Sequence, residues 1–172
     1  IGRKLSESLG FAYYDRELLK LAAERAEVGE ELFADKDEKA GNPWLFKAFY
    51  QGGPKVKQGQ SAEDVLFQMQ SEIIRELAEK EPCVIVGRCA DFILQDRTDC
   101  LKVFVHADMK FRADRIVRVY GEREKSPEAR LKEKDKRRAA YYRFYTDMKW
   151  GNAANYHIAL DSGVIGIEKS AE

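Results

Sequence analysis

Four short apolar runs set the terms on which this chain can fold. Residues 11–14, 83–86, 101–105 and 157–160 are strand-length, and stretches with helical periodicity lie between them. Strand and helix in alternation favour a mainly parallel sheet, because parallel neighbours need a crossover that returns the chain to the same end. The expected architecture is therefore an α/β domain of three layers, with a central mainly parallel sheet flanked by helices. The run Cys83-Val84-Ile85-Val86 has no polar alternation, the pattern of a strand covered on both faces. A chain of 172 residues fits one such domain.

Punctuation between the runs supports the alternation. Residues 1–9 read as the last turns of a helix stopped by Gly10. Asp15 caps a helix to about residue 27, with Leu18, Leu19, Ala22 and Ala26 on one face. Residues 30–60 are irregular and rich in Gly and Pro, with an aromatic piece at 44–50. Ser61 and Asp64 resemble a capping box. They open a helix to about Lys80 with Val65, Met69, Ile73 and Leu77 as its inner stripe. A short helix is expected over 90–94. Asp108 caps a helix that Gly121 ends, and Ser126-Pro127 starts a long one to about residue 145. A further helix is expected from Gly166.

Thirty basic residues balance thirty acidic ones, so net charge gives no pointer to nucleic acid or a membrane. No apolar run reaches membrane length. The three cysteines form no C-x-x-C pair and read as free thiols of a reducing cytoplasm. H-E-x-x-H, G-x-S-x-G, Walker A and dinucleotide motifs are all absent from these residues. His106 and His157 are isolated and read as structural.

In parallel sheets, ligands bind beyond the carboxyl ends of the strands. Asp15-Arg16, Gly87-Arg88 and Asp161-Ser162 hold such positions. The Arg88 guanidinium suits two phosphate oxygens, although an ion pair within the fold would use the same position. Asp91 could pair with Arg88 or accept from a sugar hydroxyl. Arg112, Arg115 and Arg118 follow one another at helical-turn spacing and make a cationic edge. The helix from Ser126 carries Asp135, Arg137 and Arg138 ahead of Tyr141, Tyr142 and Tyr145. This pattern suits a flap hinged at 121–126 that brings arginines onto phosphate and closes out water, and equally a charged surface helix with a packed aromatic end.

The segments IGRKLSESLGFAYYDRELL, IIRELAEKEPCVIVGRCADFIL and DKRRAAYYRFYTDMKWGNAANYHIALDSGVIGIE resemble the cytidylate kinase-like family. That resemblance implies one nucleoside-monophosphate kinase-like domain over 1–172, with a monophosphate-binding insertion at 30–60 and a helical lid at 121–150. It implies ATP and Mg2+ as cofactors, a nucleoside monophosphate such as CMP or dCMP as acceptor, and a cytoplasmic enzyme. Carried over by position, Arg88, Asp135, Arg137 and Arg138 fall among the catalytic groups. Asp15, Arg16 and Asp91 fall on the substrate, and Arg112 and Arg115 on the cofactor.

Two departures accompany the resemblance. The turn reads Gly87-Arg88-Cys89-Ala90-Asp91 where related cytidylate kinases have G-R-D, which displaces the acid and weakens any inference to cytosine. The family's first strand and glycine-rich loop run directly into a segment like Ile1-Gly2. The resemblance therefore implies roughly 15–20 residues ahead of Ile1, carrying that strand and loop. The same fold also supports a non-catalytic nucleotide-sensing or interaction protein.

Overall fold

The structure is a computed structural model that describes residues 1–15, 18 and 62–172. Arg16, most of the expected helix over 15–27, the whole of 30–60 and Ser61 lie outside the described residues. The chain divides into two compact units, Ser6–Leu94 with Gly2, and Gln95–Glu172 with Ile1 and Arg3–Leu5.

Helix α1 (Gly2–Leu9), whose residues Ser6–Leu9 belong to the first unit, leads through Gly10 into β1 (Ala12–Tyr14). Gly10 sits at φ 67°, a conformation that glycine reaches without a side-chain penalty. Ser6 fastens the turn: its Oγ donates to the Phe11 carbonyl at 2.7 Å, and its own carbonyl accepts from the Phe11 amide at 3.0 Å. Helix α2 (Ala62–Lys80) then returns the chain to β2 (Cys83–Ile85). The two strands pair in parallel, Ala12 with Cys83, Tyr13 with Val84 and Tyr14 with Ile85. Helix α3 (Ala90–Ile93) packs against α2. The buried face of α2 carries Gln70, Ser71, Ile73 and Ile74; of the expected stripe Ile73 is buried, Met69 and Leu77 are partly buried, and the Val65 side chain lies outside the described residues.

The second unit holds β3 (Val103–His106) and β4 (Ile158–Asp161), again parallel, in the register Val103 to Ile158 through His106 to Asp161. Between them run α4 (Met109–Tyr120) and α5 (Pro127–Thr146). Both helices begin as their sequences dictate. The Asp108 carboxylate accepts from the Phe111 amide at 2.8 Å, and Ser126 Oγ accepts from the Ala129 amide at 3.3 Å. Ala113 and Ile116 of α4 form one buried cluster with Leu131 of α5, flanked by Met109.

The expectation of parallel strands joined by helices holds, but not that of one continuous sheet: the described strands pair as two separate two-stranded ladders. Both strands of the second ladder begin after the apolar runs do. Lys102 is occupied in closing the ladder mouth, its carbonyl accepting from the amides of His157 and Ile158 and its amide donating to His157 Nδ1 at 3.1 Å. The helix expected from Gly166 also forms elsewhere. The Asp161 carboxylate accepts from the amides of Gly163 and Val164 and starts α6 at Ser162–Ile165, which Gly166 ends at φ 86°.

Phe104 projects from β3 into an aromatic nest. Its ring centroid lies 5.6 Å from that of Trp150 and 4.9 Å from that of Tyr156. The chain passes under this ring at Gly151, where φ is 73° and a Cβ would stand 3.0 Å from Phe104 Cζ. Conformation and space both require glycine. Gly151→Ala is expected to lower stability by about 1–3 kcal/mol, the cost of a left-handed non-glycine residue before any clash is added. Urea unfolding of the variant checks this, and an unchanged midpoint would show that the loop can relax.

Candidate functional site

The candidate residues fall into two groups, one in each unit. In the first unit, Tyr14 and Ile85 are register partners, and the Val86 amide donates to the Tyr14 carbonyl at 2.8 Å. Asp15 and Gly87-Arg88 therefore leave the carboxyl end of the same ladder, where this fold class presents its ligand-binding residues. Asp15 is half-buried, with the Tyr13 hydroxyl 3.4 Å from its Oδ2.

Three successive residues beyond β2 adopt positive φ: Gly87 at 76°, Arg88 at 58° and Cys89 at 56°. Only the first is glycine. Non-glycine residues in this region cost about 1–3 kcal/mol each and persist where surrounding structure holds them. The hold is visible on Cys89, which is buried and begins α3, its carbonyl accepting from the Phe92 and Ile93 amides. Arg88 is thereby lifted out of the strand direction at a fixed turn, and Asp91 stands in the first turn of α3. Burial, and behind it the Asp91 charge, push the Cys89 thiol up to about 12, against the partial opposing effect of Arg88. The thiol beside Arg88 is neutral and is no nucleophile at ordinary pH.

In the second unit, Arg112 of α4 and Asp135 of α5 form a two-pronged ion pair. Arg112 Nη1 donates to Oδ2 and Nη2 to Oδ1, both at 2.8 Å. Arg138, one turn along α5, brings Nη1 to 3.5 Å from the same Oδ1. Two guanidinium groups from two helices thus converge on one carboxylate oxygen. Arg137 pairs instead with Glu133, which also receives Lys125 Nζ at 3.0 Å. Arg115 and Arg118 are exposed on α4.

The flap expected to swing from residues 121–126 is anchored at several points. Leu131 sits in the cluster with Ala113 and Ile116, Arg112 grips Asp135, and Arg130 Nη1 donates to the Gly121 carbonyl at 3.3 Å. Helices α4 and α5 are therefore a joined hairpin.

Sequence spacing shows Glu133 with Arg137 and Asp135 with Arg138, since both pairs are neighbours on a helix. The bond from Arg112 to Asp135 spans 23 positions and has no local signal. His106 and Asp161, read separately, are register partners at the carboxyl end of the second ladder, with Nδ1 3.8 Å from Oδ2. Ser162 Oγ donates to the His106 carbonyl at 3.0 Å, so Asp161-Ser162 also ties the strand ends together.

Known proteins complete the assignment. The profile of the cytidylate kinase-like family matches residues 1–164, and the chain belongs to that family. It is also similar to the crystal structure of an uncharacterized protein from Eubacterium ventriosum. That likeness has 29% identity and a TM-score of 0.69 and covers 99% of this chain and 84% of that one. No curated protein matches. Among the described residues, no helix is long and apolar enough to cross a membrane.

Two measurements test this geometry. A double-mutant cycle on Arg112→Ala and Asp135→Ala is expected to give a coupling of about 1.5–3 kcal/mol, the range for charge-assisted bonds with good geometry. A coupling near zero would mean that the pair does not persist in solution. The Cys89 thiol predicts a loss of stability with rising pH. Its folded pKa lies above its unfolded value, so the folded state holds the proton longer. The stabilisation is complete below the ordinary thiol value of 9.0 and is lost as pH rises towards about 12. Cys89→Ala should remove that part of the alkaline slope in a series of denaturation curves.

Proposed function

We propose that this protein transfers a phosphoryl group from ATP to a nucleoside monophosphate, with CMP or dCMP as the first candidates. The observation that carries the reading is the convergence of Arg112 and Arg138 on a single anionic oxygen, in a member of the cytidylate kinase-like family. Phosphoryl transfer asks little covalent chemistry of a protein. It asks for cations fixed around three equatorial oxygens and for the two reacting oxygens to be held in line. Arginine forks supply the first requirement, with directional bonds that a lysine ammonium lacks.

In this reading the nucleoside-monophosphate kinase-like chain has three working parts. Asp15, Arg16 and Asp91 hold the acceptor, with Arg88 meeting its phosphate. Arg112 and Arg115 meet the phosphates of ATP. Arg137 and Arg138 spread over the transferring group, with Asp135 holding the arginines in order. Mg2+ would neutralise and bridge phosphate oxygens. Among the described residues no group of three carboxylate, imidazole or thiol side chains could hold a metal ion. Residues 121–150 serve as the lid. Residues 30–60 serve as the monophosphate-binding insertion.

A coupled ADP-release assay on full-length protein, run across the common monophosphates, tests the activity. Release that depends on one or a few acceptors is expected; nucleotide binding with no turnover would move the protein to the non-catalytic sensing class. Arg88→Ala should weaken monophosphate binding by about 1.5–3 kcal/mol, the worth of a hydrogen bond to a charged group. Unchanged affinity in a folded variant would leave Arg88 with only an ion pair inside the fold.

A further inference from the structure

We propose that an exposed ridge of α5 is a binding surface for single-stranded nucleic acid, with its lysines on backbone phosphates and Phe144 against a base. The neutral total of the chain hides a lopsided distribution. Residues 109–146, the span of α4, α5 and their connection, carry thirteen Lys and Arg against six Asp and Glu. The remaining residues are acidic by the same margin, so the basic surplus belongs to this hairpin. A surplus gathered on one element attracts a polyanion whatever the net charge of the protein.

The helix sets part of that surplus along one line. Lys132, Lys136, Ala140 and Phe144 are spaced four apart, the interval that stacks side chains along one side of a helix. Arg143 stands beside the far end of the row, and all five residues are exposed. From Lys132 to Phe144 the ridge runs about 18 Å at the rise of an α-helix. Arg143 reaches Asp147 at 4.0 Å, with the Asp147 side chain 96% exposed, a contact that water and salt weaken. Phe144 is itself 72% exposed. Tyr145 meets its ring edge-on with centroids 4.9 Å apart, and Tyr141 packs on Tyr145 at 4.8 Å, so the exposed ring has a supported edge. A planar base laid on such a ring covers apolar surface that water now covers.

Each nucleotide of a single strand offers a phosphate and an open base face, and the ridge offers cations and a ring. A duplex keeps its base faces in the stack, out of reach of an aromatic side chain. A helix lying on a membrane needs a broad apolar face, and this ridge has one large apolar residue. Lys132, Lys136, Arg143 and Phe144 lie outside the groups assigned above to phosphoryl transfer, so the inference goes beyond that reading and does not rest on it.

The test is fluorescence anisotropy of full-length protein with labelled oligo-dT and oligo-rU of about 20 nucleotides, longer than the usual site on one such surface. Binding to at least one strand is expected, and a preference between them identifies the sugar. Joint replacement Lys132→Gln and Lys136→Gln is expected to reduce the slope of log affinity against log salt by about 1.4, the worth of two phosphate contacts on a single strand. Phe144→Ala is expected to weaken binding about fivefold or more at an unchanged salt slope, the lower end of a base–aromatic stack, and Phe144→Tyr should restore it. If Phe144→Ala fails to fold, the ring-proton resonances of wild-type Phe144 take its place: they should move upfield as a base stacks, and static signals at saturation would overturn the proposal. No binding to either strand at low salt would overturn it, as would folded variants with unchanged slope and affinity. Equal affinity for a duplex of the same length would reduce the surface to general electrostatics and overturn the stacking. Binding to phosphatidylserine vesicles with none to the strands would make the ridge a membrane surface instead. Excess ATP and CMP should leave the oligonucleotide bound; displacement would put the strand in the nucleotide site and overturn the proposal.

Discussion

A pair of parallel strands cannot stand by itself. Its ladder is short, its faces need cover, and the chain must travel the length of the strand again before the second member can pair. Both ladders of this protein meet that constraint in their own way. In the first, α2 supplies the return and places Ile73 and Ile74 in the core. In the second, the return is a helical hairpin, and the segment after it is turned by Asp147 at φ 54° and Gly151 at φ 73° into the aromatic nest under Phe104. The crossovers carry the packing, which leaves the strand ends free to carry charged and polar residues.

Those residues are held in two different ways. Arg88 is fixed by backbone: a run of left-handed residues, pinned by the buried Cys89, turns the chain sharply after β2. Arg112 is fixed by side chain, through a carboxylate on a neighbouring helix. Backbone strain gives a position that varies little but admits few substitutions. An ion pair gives a position that can be reset by a competing anion. The first suits a group that must always face the same way, and the second suits one that must respond to a ligand.

The sequence was most legible where structure is local. Asp108, Gly121 and Ser126-Pro127 mark helix ends that the structure keeps, since a cap acts within one turn. The apolar runs located the four described strands, with ends displaced by a residue or two where Lys102 and His157 bond to each other before the second ladder begins. What was hidden is non-local or conformational. Positive φ at Arg88 and Cys89 has no mark in residue type, because neither is the glycine or asparagine that usually announces it. The bond from Arg112 to Asp135 depends on how α4 and α5 pack, which no spacing along the chain encodes. Asp135 and Glu133 set the geometry of Arg112, Arg137 and Arg138 through these ion pairs.

Helix α5 is buried at Leu131 near one end and at Tyr142 and Thr146 near the other, and every residue between these points is at least partly exposed. It is a beam on two bearings, roughly 16 Å apart at the rise of an α-helix. A beam so mounted passes force between its supports without bending much in the span. Asp135 and the arginines beside it lie in the exposed span, close to the first bearing, and the aromatic residues lie at the second. Three buried side chains thus hold the helix at its ends and leave its charged span open to solvent.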